Sequence, residues 1–102
     1  MGRQAGKLRE KQIVQSYVWV LRAPKNTDGV RTSALARHGA YEVRLIEPSD
    51  MPCADLQPFW IELYDHDNRT TIDSYGGPDL EEAAKAAEAL ISRAIALNSP
   101  KL

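Results

Sequence analysis

The stretch from Glu62 to Gly77, ELYDHDNRTTIDSYGG, concentrates side chains that could bind a metal ion or move a proton. Asp65 and Asp67 have the D-x-D spacing that opens a calcium-binding loop. The rest of that pattern fails, because Arg69 stands where an oxygen ligand is needed and Gly76 stands where a bidentate glutamate is required. The sequence therefore predicts a polar hairpin turn here and not a calcium site.

The other reactive side chains are scattered along the chain. His66 lies between two aspartates but has no second histidine or cysteine at the spacing of a zinc site. Cys53 lies in a proline-rich segment, and neither it nor His38 belongs to a motif that joins a nucleophile to a base. The sequence therefore predicts no catalytic, cofactor-binding or metal-binding residues, and we expect a protein that is not an enzyme.

Composition indicates one folded domain. The chain has 102 residues, 43% of them hydrophobic and 26% charged, which is typical of a globular protein. No apolar run approaches the roughly 20 residues that span a membrane. Cys53 has no cysteine with which to form an internal disulfide, which favours a reducing, cytoplasmic location. We divide the chain into a basic flexible arm (1–11), a single α+β domain (12–98) and a tail (99–102).

Several segments have the composition of β-strands. Residues 12–22, QIVQSYVWVLR, are rich in β-branched and aromatic side chains and predict a strand. Residues 40–47, AYEVRLIE, alternate between apolar and charged side chains, which predicts a strand with one buried face. FWIELY (59–64) and TTIDSY (70–75) predict a hairpin joined through DHDNR.

Residues 30–38 allow two interpretations. In one, Ser33 caps a short helix that Gly39 ends. In the other, which is slightly favoured, His38 and Gly39 form a tight turn between two strands. That hairpin would place Thr32, Ala34 and Ala36 opposite Leu45, Val43 and Tyr41.

The clearest element is a helix over residues 79–97. Asp79 is the predicted N-cap, Glu82 completes a capping box, and Glu81 and Lys85 form an i,i+4 ion pair. An apolar stripe runs along the helix: Leu80, Ala83, Ala84, Ala87, Leu90, Ile91, Ala94, Ile95 and Leu97. The predicted fold is therefore α+β, an antiparallel sheet of four to five strands with a C-terminal helix packed on one face.

Residues 59–97, two strands followed by the alanine-rich EAAKAAEAL, resemble the second half of a double-stranded-RNA-binding domain. That resemblance implies contacts to RNA phosphates from a lysine-rich helix start. Here Glu81 and Glu82 occupy those positions, which removes the cations on which the contacts depend. DLEEAAKAAEAL is also similar to the end of the HicB-type antitoxin domain, which implies a sheet-plus-helix core that often lacks catalysis.

Charge is divided unevenly between the two halves of the chain. Residues 1–51 have nine Lys/Arg and five Asp/Glu, a net charge of +4, and residues 52–102 have four and nine, a net charge of −5. A basic half is one sign of nucleic-acid binding. The candidate contacts for this alternative function are Lys7, Arg9, Lys11 and Arg37.

The favoured function is a protein-interaction or self-association module. One helix covers only one face of the predicted sheet, and aromatic side chains are enriched where proteins meet. We therefore expect a protein partner or a homodimer, and no membrane. The candidate contact residues are Trp19, Trp60, Tyr64 and Tyr75, with the two tyrosines expected near one another on the hairpin.

Overall fold

The computed structural model describes residues 2–25, 30–47 and 59–99. They form two helices and four strands in the order αββββα. The elements are α1 (Gly2–Val20), β1 (Thr32–His38), β2 (Tyr41–Ile46), β3 (Phe59–Asp65), β4 (Thr70–Gly77) and α2 (Leu80–Asn98).

The four strands form one antiparallel sheet in the order β1-β2-β3-β4. Alternate side chains of β2 and β3 point into the core, where Val43, Leu45, Ile61 and Leu63 are fully buried. Residues from both helices belong to the same core cluster, so both helices cover the same face of the sheet. This arrangement confirms the predicted α+β class and the C-terminal helix packed on one face.

The prediction of a strand over residues 12–22 is wrong, because this segment lies in α1 and the turn that follows it. Ile13 and Val20 are fully buried and Ser16 is 8% exposed, and these positions recur at helical spacing. Burial of that helical face outweighs the strand preference of the β-branched residues. The helix begins at Gly2, so residues 2–11 of the segment assigned to the basic arm are helical.

Residues 32–46 form the favoured hairpin, and the alternative short helix is wrong. Gly39 has φ +63°, the left-handed conformation that glycine adopts at little cost, and the side chain of Asn98 occupies the space where a Cβ would project. The predicted register is wrong: Ser33 pairs with Leu45, and a bulge lies between Ala34 and Ala36. A bulge adds one unpaired residue and shifts the alternation of faces beyond it.

The predicted β3–β4 hairpin is confirmed. Its turn is held by Asp65, whose Oδ1 accepts the backbone N–H groups of Asp67 and Asn68 at 2.9 and 3.3 Å. The turn ends at Arg69, which has φ 54° and so adopts a left-handed conformation that is unfavourable for residues with a Cβ. Asp65 therefore serves as a turn-stabilising acceptor in the segment that resembles a calcium loop.

The predicted C-terminal helix is confirmed, from Leu80 to Asn98 with Asp79 as N-cap. The carboxylate of Asp79 accepts the Glu81 N–H at 2.9 Å, and the Glu81–Lys85 ion pair is present at 3.7 Å. Two members of the predicted apolar stripe are not buried: Ile95 and Leu97 are exposed. The buried members are mostly alanines: Ala83, Ala84, Ala87, Leu90, Ile91 and Ala94. Within the described ranges, neither helix is long and apolar enough to cross a membrane.

The left-handed conformation of Arg69 generates a stability prediction. Arg69→Gly should raise the free energy of unfolding by about 0.5–1 kcal/mol, because glycine adopts positive φ without a Cβ clash. In a domain of this size that change corresponds to a rise in Tm of about 4 °C, measurable by thermal denaturation. Arg69→Ala is the matched control, since alanine keeps the Cβ. Equal Tm values for the two variants would contradict the interpretation.

Candidate interaction surfaces

The side of α1 that faces away from the core carries exposed apolar side chains. Val14 and Val18 lie on the helix and Leu21 directly follows it, and each is about half exposed. Together with the exposed Lys7 and Lys11, they are separated by four, three, four and three residues along the chain, at positions 7, 11, 14, 18 and 21. This is the spacing of the a and d positions along which two helices pack. We call these five residues the α1 seam.

Two further large hydrophobic side chains of α1 are exposed on another side of the helix, roughly 100° around it from the α1 seam. Leu8 is 68% exposed and Trp19 is 59% exposed, the two highest values among the large hydrophobic residues that the structure describes as exposed. Single exposed apolar residues are common on protein surfaces, whereas a contiguous group along one helix indicates a contact surface. Val14, Val18 and Leu21 are adjacent at helical spacing and form the apolar part of such a group.

Polar contacts on the opposite side fix the orientation of α1. Arg9 Nε donates to Glu88 of α2 at 2.6 Å, and Arg9 also contacts Gln12. The Gln12 amide in turn donates to the backbone carbonyl of Leu35 in β1 at 3.0 Å. Together with buried Ile13, these contacts join α1 to both α2 and the sheet. The α1 seam consequently points away from the molecule.

A second candidate surface is the sheet face that points away from the helices. At its centre, Arg44 Nη2 and Nε lie 2.6 and 2.7 Å from Glu62 Oε1. The guanidinium also lies 3.8 Å from Glu42 Oε1 and 4.1 Å from the centre of the Tyr64 ring. The side chains of Arg44 and Glu62 are only 13% and 10% exposed, so this pair is largely removed from water.

Two further polar contacts belong to this group. Thr71 Oγ1 donates to the second carboxylate oxygen of Glu62 at 3.0 Å, and His66 Nε2 lies 2.7 Å from Glu42 Oε1. No buried side-chain nitrogen or oxygen lacks a hydrogen-bond partner in the part of the chain that the structure describes. Among the same residues, no three His, Cys, Asp or Glu side chains are placed to hold a metal ion. The centre of this sheet face is therefore a network of polar side chains that are paired with one another, and Trp60 is exposed on the same face.

The four aromatic candidates do not share one surface. Trp19 lies on α1, whereas Trp60 and Tyr64 lie on the sheet face away from the helices. Tyr75 pairs with Ile61 on the helix side of the sheet and packs against the core. Burial raises the pKa of Tyr75, and the nearby carboxylates Glu82 and Asp79 add to this rise. Tyr64 and Tyr75 therefore lie on opposite faces of the hairpin.

The four basic candidates are also separated. Lys7 and Lys11 belong to the α1 seam, but Arg9 is held by Glu88. Arg37 lies at the end of β1 and donates to the Gly39 carbonyl at 3.0 Å. Cys53 lies outside the described residues. The structure thus brings together two of the four cations proposed for nucleic-acid contact.

The sequence analysis does not predict the α1 seam, because it interprets residues 12–22 as a strand. The signal was present in the 4-3-4-3 spacing from Lys7 to Leu21, which has no counterpart in a strand of period two. The lysines at its first two positions obscured the pattern, since such positions are usually apolar.

No known protein family, curated protein or solved structure matches this chain.

The Arg44–Glu62 pair generates a prediction about coupling. Arg44→Met should lower the free energy of unfolding by about 3 kcal/mol, because it leaves the carboxylate of Glu62 poorly solvated and without its cation. The double variant Arg44→Met/Glu62→Met should recover most of that loss, as measured by urea denaturation. A double variant as unstable as the single one would contradict the coupling.

The Asp65 turn generates a prediction about pH. The side-chain amide of Asn68 lowers the pKa of Asp65 below its ordinary value of 3.8, and the backbone N–H groups of Asn68 and Asp67 act in the same direction. A lowered folded-state pKa stabilises the fold above pH 3.8, and this stabilisation is lost as the pH falls through the folded-state pKa.

Asn68→Ala should therefore lower Tm most at neutral pH, and the difference from wild type should narrow as the pH falls below 3.8. Thermal denaturation across this pH range measures the difference. Asn68→Asp is an informative companion, because it removes the amide and adds a second negative charge. A difference in Tm that does not change with pH would show that Asn68 does not act by lowering the pKa of Asp65.

Proposed function

We propose that this protein is a non-catalytic self-association module whose α1 seam packs against a second copy of the chain. The observation that carries the proposal is the 4-3-4-3 series of exposed residues that runs along α1 to Leu21, directly after the helix, while the other side of α1 is buried in the core. Burying apolar surface contributes roughly 25 cal/mol per Å². We place the module in the cytoplasm because Cys53 is the chain's sole cysteine.

Pairing through the edge strand β4 is less favourable. At the outer strand β4, the Ser74 N–H donates to the carboxylate of Asp73 at 2.8 Å, which occupies a backbone donor that a neighbouring strand would need. Asp73 also forms an ion pair with Arg93 at 3.0 Å, and a bulge interrupts the strand near Leu63 and Tyr64 of its partner. Charges and bulges are the features that keep edge strands from pairing.

The sheet face away from the helices is also a poor hydrophobic contact. Its central charges are already paired with one another, so a partner would have to displace or desolvate Arg44 and the two glutamates. The α1 seam requires no such cost, because its lysines have flexible stems that can keep their ammonium groups in water. This difference supports the helix over the sheet as the contact surface.

Sedimentation velocity tests the proposal directly. The wild-type chain should form a dimer at micromolar concentration, and Val18→Glu should weaken the dimer by at least about tenfold because it buries an unpaired charge. Ile95→Glu is the matched control, since Ile95 is 46% exposed on α2 and lies outside the α1 seam. Circular dichroism confirms that both variants keep the fold.

A wild-type chain that remains a monomer at high concentration would overturn the proposal. Equal weakening by Val18→Glu and Ile95→Glu would also overturn it, because association would then not depend on the α1 seam.

A further inference from the structure

We infer that the outward side of α1 binds the surface of an anionic phospholipid bilayer. This inference goes beyond the proposed self-association and does not depend on it. The sequence predicts no membrane because no apolar run is long enough to span one, but a helix that lies on a bilayer surface needs no such length. Such a helix needs exposed apolar side chains with cations beside them.

The exposed side chains of α1 form one continuous surface. At about 100° per residue they fall within an arc of about 140° around the helix axis, opposite the buried Ile13, Ser16 and Val20. They are Lys7, Leu8, Lys11, Val14, Gln15, Val18 and Trp19. A second helix packed along the α1 seam would leave Leu8 and Trp19 uncovered, since they lie roughly 100° away from it. A flat bilayer surface reaches both.

This surface contains cations and no acidic side chain. Glu10 is the sole acidic residue of α1, and it is partly buried outside the arc. Lys7 and Lys11 are exposed within the arc, and Arg22 and Lys25 are exposed in the segment that follows the helix. Each Lys or Arg close to an anionic bilayer strengthens binding by about fivefold, and its apolar stem contacts the apolar side chains while its charge stays at the headgroups.

The contacts of α1 turn this surface away from the acidic part of the molecule. Gln12, which is next to Trp19 around the helix, donates to a backbone carbonyl of the edge strand β1. On the opposite flank of α1, the Tyr17 ring lies 5.8 Å from the Phe59 ring of β3. The Trp19 side of α1 therefore faces the β1 edge of the sheet. The acidic first turn of α2 follows β4, which is the other edge.

The apolar side chains favour a bilayer over nucleic acid as the anionic partner. A phosphate backbone binds cations but offers no contact to aliphatic side chains such as Val14 and Val18, whereas a bilayer offers both. Leu8 is 68% exposed and Trp19 is 59% exposed. Tryptophan is enriched at the headgroup level of bilayers, where its ring meets apolar surface and its N–H meets polar groups.

Flotation with vesicles tests the inference. The wild-type chain should bind vesicles of about three parts phosphatidylcholine to one part phosphatidylserine at low salt, and the binding should weaken as salt screens the charges. Binding to vesicles of phosphatidylcholine alone should be at least about tenfold weaker, because these vesicles have no net negative charge.

Two pairs of variants separate the apolar and the charged contributions. Leu8→Ser/Trp19→Ser should weaken binding to the anionic vesicles by at least about tenfold, because it removes apolar surface. Ile95→Ser is its matched control, since Ile95 is exposed on α2. Lys11→Gln should weaken binding by about fivefold, whereas Lys85→Gln, which removes the same charge from α2, should have little effect. Circular dichroism confirms that the variants keep the fold.

Absence of binding to the anionic vesicles at low salt would overturn the inference, and so would an equal loss in Leu8→Ser/Trp19→Ser and in Ile95→Ser. Binding to a double-stranded oligonucleotide without binding to vesicles would also overturn it and would assign the surface to nucleic acid. Sedimentation without vesicles separates these results from self-association. A dimer that does not bind vesicles overturns only this inference, and a monomer that binds them overturns only the proposed function.

Discussion

The packing of α2 on the sheet is the contact on which the rest of the structure depends. Its buried face is mostly alanine, and short side chains let the helix axis approach the strands closely enough to contact all four of them. A helix with larger residues would stand further from the sheet and leave less room beside it. The close approach of α2 allows α1 to pack against both α2 and the β1–β2 hairpin, and so to complete a single core.

Because both helices occupy one face of the sheet, the opposite face must be stable in contact with water. The chain achieves this with charges that satisfy one another, centred on Arg44 between Glu42 and Glu62. An antiparallel sheet tolerates such a two-sided arrangement because alternate residues of each strand point to opposite faces. Of the large hydrophobic side chains that the structure describes as exposed, most lie on α1 or directly after it, and Trp60 lies on the polar face.

How much of this was predictable depended on whether local and tertiary preferences agreed. They agree in α2, where Asp79, the acidic first turn and the apolar stripe all indicate the same helix, and in the hairpins marked by Gly39 and by DHDNR. They conflict in α1, where β-branched residues favour a strand but the spacing from Lys7 to Leu21 and the burial of Ile13 and Val20 are those of a helix. The β1 register and the partner residues of Tyr64 and Tyr75 depend on bulges, which have no clear sequence signature here.

The same conflict connects the stability of α1 with its proposed role. The second half of α1 is rich in β-branched residues, and the helix has no acidic residue in its first turn and no basic residue in its last turn, so its helical state depends on tertiary contacts. In the proposed pair, each copy covers the exposed apolar side chains of the other copy's α1. Association would then stabilise the helix that forms the contact, and the stability of the fold would rise with protein concentration. A helix that depends on its neighbours for stability is well suited to couple folding to self-association.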